Sequence, residues 1–184
     1  MVTTSHQTRG LRTDVSVAME DAKSHKQTLI NNKKLIMLLD LDQTVIHATA
    51  GRQVKDYDLI PNARKQSDTL KEQIHEFKAS GETFWVGVRP GALEFIENMS
   101  KLFEINVYTA ADRAYADEIV KIIDPMSKHI GTRVLTRTES PDMHRKFVER
   151  LFPFSVELVV IVDDSIRAWY NDKGQFHLYK IPAF

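Results

Sequence analysis

Residues 35 to 39 read Leu-Ile-Met-Leu-Leu, an unbroken apolar run that leads into Asp40, with Asp42 and Thr44 following at intervals of two. A strand without polar alternation has to be covered on both faces, which points to a parallel sheet packed between helices. In open sheets of that kind, ligands gather at the carboxyl ends of the strands. Carboxylates at i and i+2 on an extended end face the same way. Asp40 and Asp42 are therefore expected to divide the roles of nucleophile and general acid around one phosphate.

The remainder of the chain alternates in a way that suits this start. Residues 1 to 12 are read as a disordered tail and 13 to 184 as one domain. A helix is expected over 14 to 30 with Thr13 as its cap, and the first strand over 35 to 40. From 49 to 83 the chain turns polar and forms an insertion, with an amphipathic helix expected over 67 to 81. Residues 84 to 91 read as a strand stopped by Pro90. Leu93, Ile96, Met99 and Leu102 then keep helical spacing. A strand over 104 to 110 and a helix over 111 to 123 lead to the Asp124–Pro125 break. A short strand near 133 to 140, a helix over 142 to 152, a strand over 157 to 164 and a closing strand at the end complete the pattern. The class is α/β with a largely parallel sheet flanked by helices.

Composition excludes several chemistries. The 184 residues contain no cysteine, so disulfides, thiolate zinc sites and a cysteine-nucleophile phosphatase are all ruled out. Lys+Arg and Asp+Glu both number 25, and this balance argues against direct nucleic-acid binding through bulk charge. No apolar stretch approaches the ~18 residues of a membrane span, and the N-terminus has no apolar secretory core.

Three apolar strands end in groups that phosphoryl transfer can use: Asp40 and Asp42, then Thr109, then Asp163 and Asp164. A phosphate ester needs an in-line nucleophile, a cation for the transferring charge and a proton for the leaving oxygen. Asp40 can attack phosphorus to give an aspartyl-phosphate. Asp42 can protonate the departing alkoxide and then deprotonate the hydrolytic water, provided its surroundings raise its pKa. Mg²⁺ favours oxygen ligands, available from Asp40, the Asp42 backbone carbonyl, and Asp164 or Asp163. Thr109 can hydrogen-bond a phosphate oxygen, and Lys146, from the expected helix over 142 to 152, can hold the phosphate and keep Asp40 ionised. Thr44 is grouped with these phosphate-binding residues. Each residue alone has a plainer reading as a cap, turn or surface group. Their shared position in the strand–helix order is what gives them a common role.

The strings DLDQTVIHAT, VRPGALEF, INVYTAADRAYADEIVKIIDP, GTRVLTRTES and ERLFPF before VVIVDDS resemble the haloacid-dehalogenase superfamily, and within it the Fcp-type phosphatases of the RNA polymerase II C-terminal domain. The resemblance runs from about residue 17 to the end. It implies a haloacid-dehalogenase-like sheet with a small insertion after the first motif strand and no large cap domain. It also implies Asp40 as nucleophile, Asp42 as acid/base, Asp163 and Asp164 for Mg²⁺, and Thr109 and Lys146 for the phosphoryl group. Arg89 and Arg137 are similar to substrate-side arginines. The implied substrate is phosphoserine in an extended heptad-repeat peptide, the implied setting the nucleus.

Two other readings stand beside a Mg²⁺-dependent protein serine/threonine phosphatase. One is a non-catalytic interaction module of the same fold, such as the mitochondrial import receptors that resemble this family. Against it, all the acids of the motifs are present. The other is an enzyme on small phosphate esters, and an insertion no longer than a hairpin and helix leaves little to shield such a substrate.

Overall fold

The computed structural model describes residues 2–3, 12–53, 73–140, 145–169 and 177–184. Eight strands are labelled in chain order: β1 Leu35–Leu39, β2 Ile46–Ala50, β3 Ile74–Ala79, β4 Glu82–Val88, β5 Phe103–Tyr108, β6 Val134–Leu135, β7 Val159–Asp163 and β8 Leu178–Lys180. The helices are α1 Val15–Asn31, α2 Ala92–Met99, α3 Arg113–Ile123 and α4 Val148–Leu151. β8, β7, β1, β5 and β6 lie side by side in that order, all parallel. The expected parallel sheet is there, with the motif strand at its centre.

Both faces of β1 are covered. Met37 and Leu39 join Ile96 of α2 and Ala116, Ile119 and Ile123 of α3 on one side. Ile36 and Leu38 join Leu29 of α1, Val148 and Leu151 of α4, and Trp169 on the other. Each aliphatic side chain so buried contributes roughly 1.5–3 kcal/mol. An alternating polar strand placed here would forfeit one face of that packing.

α1 begins one residue later than the helix expected: Asp14, not Thr13, is the cap, and its carboxylate accepts from the Ser16 backbone N–H at 2.9 Å. α3 is capped by Asp112, which accepts from the Tyr115 N–H at 3.0 Å. The Asp124–Pro125 break is also a built feature. The buried Asp124 carboxylate accepts backbone N–H groups from Lys128, His129, Ile130 and Gly131, and these bonds hold its pKa low against the opposing effect of burial.

The insertion differs from expectation. Residues 74 to 79 are a strand, not the C-terminal part of a helix over 67 to 81, and residues 67 to 72 lie outside those described. Glu76 and Lys78 face solvent while Phe77 and Ala79 turn inward, the period of a strand. Ile74 and Phe77, three apart, imitate helical spacing. The decisive local signal is Ser80–Gly81, where both residues take positive φ (51° and 79°) and close a two-residue hairpin onto β4. β4 also pairs antiparallel with β2, so the segment 84 to 91 belongs to a separate three-stranded sheet in the order β2-β4-β3. Two further corrections concern the ends. Val2–Thr3 pairs with Arg12–Thr13, so part of the expected disordered tail is in a short ladder. The helix expected over 142 to 152 is confined to Val148–Leu151 among the described residues; 145 to 147 are extended and 141 to 144 lie outside them.

Candidate active site

Sheet order makes the site. β1 lies between β5 and β7, so the residues leaving these three strands emerge side by side at their carboxyl ends. The Asp40 N–H donates to Val162 O at 3.0 Å, carrying the β1–β7 ladder one residue past the strand. Asp163 ends β7, and Thr109 follows β5 with its N–H on Leu135 O at 3.0 Å.

Lys146 reaches this edge from extended backbone, its N–H donating to Ala168 O at 2.8 Å. Its ammonium donates to Asp40 Oδ1 at 2.5 Å and Asp163 Oδ2 at 2.7 Å, and lies 5.5 and 5.8 Å from the ring centroids of Trp169 and Tyr108. The lysine is only 6% exposed. Burial disfavours its charge, but Asp40 and Asp163 outweigh that and hold its pKa above the ordinary value. Asp163 is further fixed by Trp169 Nε1–H at 2.9 Å and the Ser165 N–H at 2.7 Å. Burial, reinforced by Asp163 and opposed by Lys146, raises the Asp40 carboxyl to about 7. The physical message is an excess of buried negative charge: one ammonium serves several carboxylates.

Asp42 leaves the same strand end toward the small sheet. Its Oδ1 accepts from Tyr115 Oη–H at 2.6 Å. Burial pushes the Asp42 pKa up against the pull of that bond, which is the direction a proton donor requires. Tyr115 comes from α3, and its ring packs edge-on to Phe84 at 4.8 Å and tilted to Phe77 at 5.7 Å. Sequence reading missed Tyr115. It lies 73 positions from Asp42, and the helical spacing around it signals only a buried face.

The remaining expected residues divide. Thr109 is 2% exposed and its Oγ1 accepts from the Ala111 N–H at 3.1 Å, which leaves its own proton to donate. Arg137 is at the rim of the same edge, 3.7 Å from Asp112 and well exposed. Thr44 is fully buried and does not face a phosphate position: its Oγ1 accepts from the Asp164 N–H at 3.1 Å and lies 3.5 Å from Asp164 Oδ1. Arg89 is also turned elsewhere, onto the backbone carbonyls of Gln43, Thr44 and Pro182. Its neighbourhood with the motif turn is as expected, its guanidinium's orientation toward substrate is not.

Asp40, Asp163 and Asp164 each offer an oxygen within 4.8 Å of the others. An all-carboxylate cluster with an excess of negative charge suits a hard cation better than zinc or a softer metal. Asp163 already accepts from three donors, whereas Asp164 has only the long Thr44 contact, so Asp164 holds the freer ligand oxygens.

Residues 35–184 match the family model described as NLI interacting factor-like phosphatase. The chain belongs to this family. It is 35% identical over 166 residues to the RNA polymerase II C-terminal domain phosphatase of Schizosaccharomyces pombe, covering 85% of this chain and 23% of that protein. The Saccharomyces cerevisiae protein of the same name is 33% identical over 175 residues, covering 83% of this chain and 24% of its own length. Among solved structures, that of Fcp1, described as an essential RNA polymerase II CTD phosphatase, superposes with a TM-score of 0.71 at 29% identity, covering 89% of this chain and 46% of that one. The fission yeast enzyme bound to beryllium fluoride gives the same TM-score at 30% identity, covering 89% and 45%. The chain therefore spans about a quarter of these two yeast relatives and just under half of the solved chains.

Proposed function

We propose that this chain is a Mg²⁺-dependent phosphatase of phosphoserine and phosphothreonine, acting through an aspartyl-phosphate on Asp40. The observation that carries this reading is the convergence of Asp40, Lys146, Asp163 and Asp164 at one strand edge with Asp42 beside them. In the first half-reaction an Asp40 carboxylate oxygen attacks phosphorus, and the departing serine oxygen takes the proton held by Asp42. In the second, Asp42 removes a proton from water as that water attacks the aspartyl-phosphate. Lys146 and the Thr109 hydroxyl stabilise the phosphoryl oxygens, while Asp163 and Trp169 keep Lys146 in place. Asp40, Asp164 and Asp163 would hold the Mg²⁺, with the Asp42 carbonyl beside them, and when bound it supplies charge neutralisation for the transferring group. Thr44 orients Asp164.

The substrate we infer is an extended phosphopeptide, the phosphorylated RNA polymerase II C-terminal domain repeats, in the nucleus. The names of the relatives support this, as does a site bounded by a small sheet instead of a large cap. Arg137 is placed at the rim to meet such a peptide. Hydrolysis of an aryl phosphate and of singly phosphorylated heptad peptides tests the reading. Both activities should require Mg²⁺ and vanish on chelation, and Asp40→Asn should lower kcat by at least ~10³-fold with the fold intact. Full activity of Asp40→Asn, or indifference to chelation, refutes it.

A further inference from the structure

The turn that carries Asp42 and Thr44 is held by something outside itself. Gln43 takes φ of 63°, a left-handed conformation disfavoured for a residue with a side chain. Its N–H bonds Ile46 O at 2.7 Å, and the N–H groups of Thr44, Val45 and Ile46 all converge on Leu41 O at 3.2, 2.9 and 3.1 Å. That arrangement turns the carbonyls of Gln43 and Thr44 out of the turn, where each needs a donor.

Arg89 supplies it. Nε donates to Thr44 O at 2.7 Å, and Nη2 donates to Gln43 O at 2.9 Å and Pro182 O at 2.7 Å. The guanidinium also covers the Phe184 ring, 4.9 Å from its centroid. The Phe184 N–H donates to Gln43 O at 2.9 Å, and the Arg89 N–H to Val45 O at 2.9 Å. Segment 181–184 itself continues from β8, since the Ile181 N–H donates to Asp163 O at 3.2 Å. A closed ring of bonds thus runs from the motif turn through Arg89 and 181–184 to Asp163, and back from Asp164 to the turn through Thr44.

We propose that Arg89 is a positioning residue that clamps the turn at 42–44 to segment 181–184, and so aligns Asp42 and Asp164 with the reacting phosphate. The inference rests on the phosphatase reading for its catalytic consequence, and on geometry alone for the clamp. Only a planar fork with several fixed donors satisfies three carbonyls at once; a lysine ammonium does not reproduce it. The competing role, a phosphate contact through Nη1, predicts a different kinetic signature.

The test compares wild type with Arg89→Ala and Arg89→Lys, by amide hydrogen exchange without substrate and by aryl phosphate kinetics with Mg²⁺. The clamp predicts exchange at Thr44, Val45, Ile46 and Phe184 at least tenfold faster in both variants. It predicts kcat reduced about 10²-fold with KM changed less than threefold, and no rescue by lysine. Unchanged exchange at these amides, or a rise in KM with kcat retained, overturns it. If Arg89→Ala fails to fold, Arg89→Lys carries both measurements. An inactive wild type would sink the phosphatase reading while the exchange data still decide the clamp.

Discussion

Lys146→Met gives the sharpest check on the electrostatics of the site. The substitution keeps the length and most of the packing between Tyr108 and Trp169 but removes the ammonium from Asp40 and Asp163, two carboxylates that are nearly inaccessible to water. Breaking a buried ion pair by deleting one partner costs about 3–5 kcal/mol, because a charge is left without compensation. For a domain of this size that is a fall in Tm of roughly 6–20 °C. The pH dependence has a definite sign. Burial already raises Asp40 above its unfolded value of 3.8, so ionising it in the folded state opposes folding, and losing Lys146 raises it further. The deficit of the variant is thus complete at pH 8 and shrinks toward pH 5 as the carboxyl takes up a proton. Urea unfolding in EDTA at both pH values measures it, and millimolar Mg²⁺ at pH 8 should restore part of the loss by binding the folded state. A loss under 1 kcal/mol at pH 8, or one that grows as the pH falls, would show that the cluster is not a buried charge excess.

Two further predictions address Asp42 and the N-terminal helix. Tyr115→Phe leaves the aromatic packing with Phe84 intact but removes the donor that orients Asp42; kcat should fall about 10–100-fold on alkyl phosphates and less than threefold on aryl phosphates with good leaving groups, since only the former need the proton, and equal losses on both would refute the role. His25 of α1 bonds Glu104 of β5 at 3.0 Å, a bond that raises the histidine above 6.5 against the effects of burial and Arg133, and that lowers Glu104 below 4.5 although burial opposes it. Their coupling is full between those two values, lost as pH rises through the raised histidine pKa, and lost again as pH falls through the lowered glutamate pKa. The pair is partly exposed, so a double-mutant cycle with His25→Ala and Glu104→Ala should give only ~0.5 kcal/mol at pH 6 and nothing at pH 9; an equal value at pH 9 would exclude the ion pair.

What could be read from the chain alone was whatever sits within a few residues of itself. The apolar run at 35–39 announces a strand covered on both faces, and the acids after it announce a ligand-binding strand end, because strand burial and the placement of strand ends follow from short patterns. The hairpin at Ser80–Gly81 was equally local, but the inward spacing of Ile74 and Phe77 also fits a helix, and that ambiguity hid the small sheet. Lys146 was recognised as part of the site even though its backbone is extended there, since its position in the chain order, and not its helix, carried the inference.

Tertiary structure decided the rest. Tyr115 meets Asp42, Trp169 meets Asp163, and Thr44 turns to Asp164 only because neighbouring strands and α3 converge on one edge. Arg89 shows the same limit from the other direction: a conspicuous arginine beside the motif had a cation's chemistry, but whether its fork meets a phosphate or three backbone carbonyls depends on where the 42–44 turn and segment 181–184 come to rest. Residue type and order along the chain determine which chemistry is available and on which class of sheet. Partner and direction belong to packing, because a side chain a few ångströms long bonds whatever the fold brings within its reach.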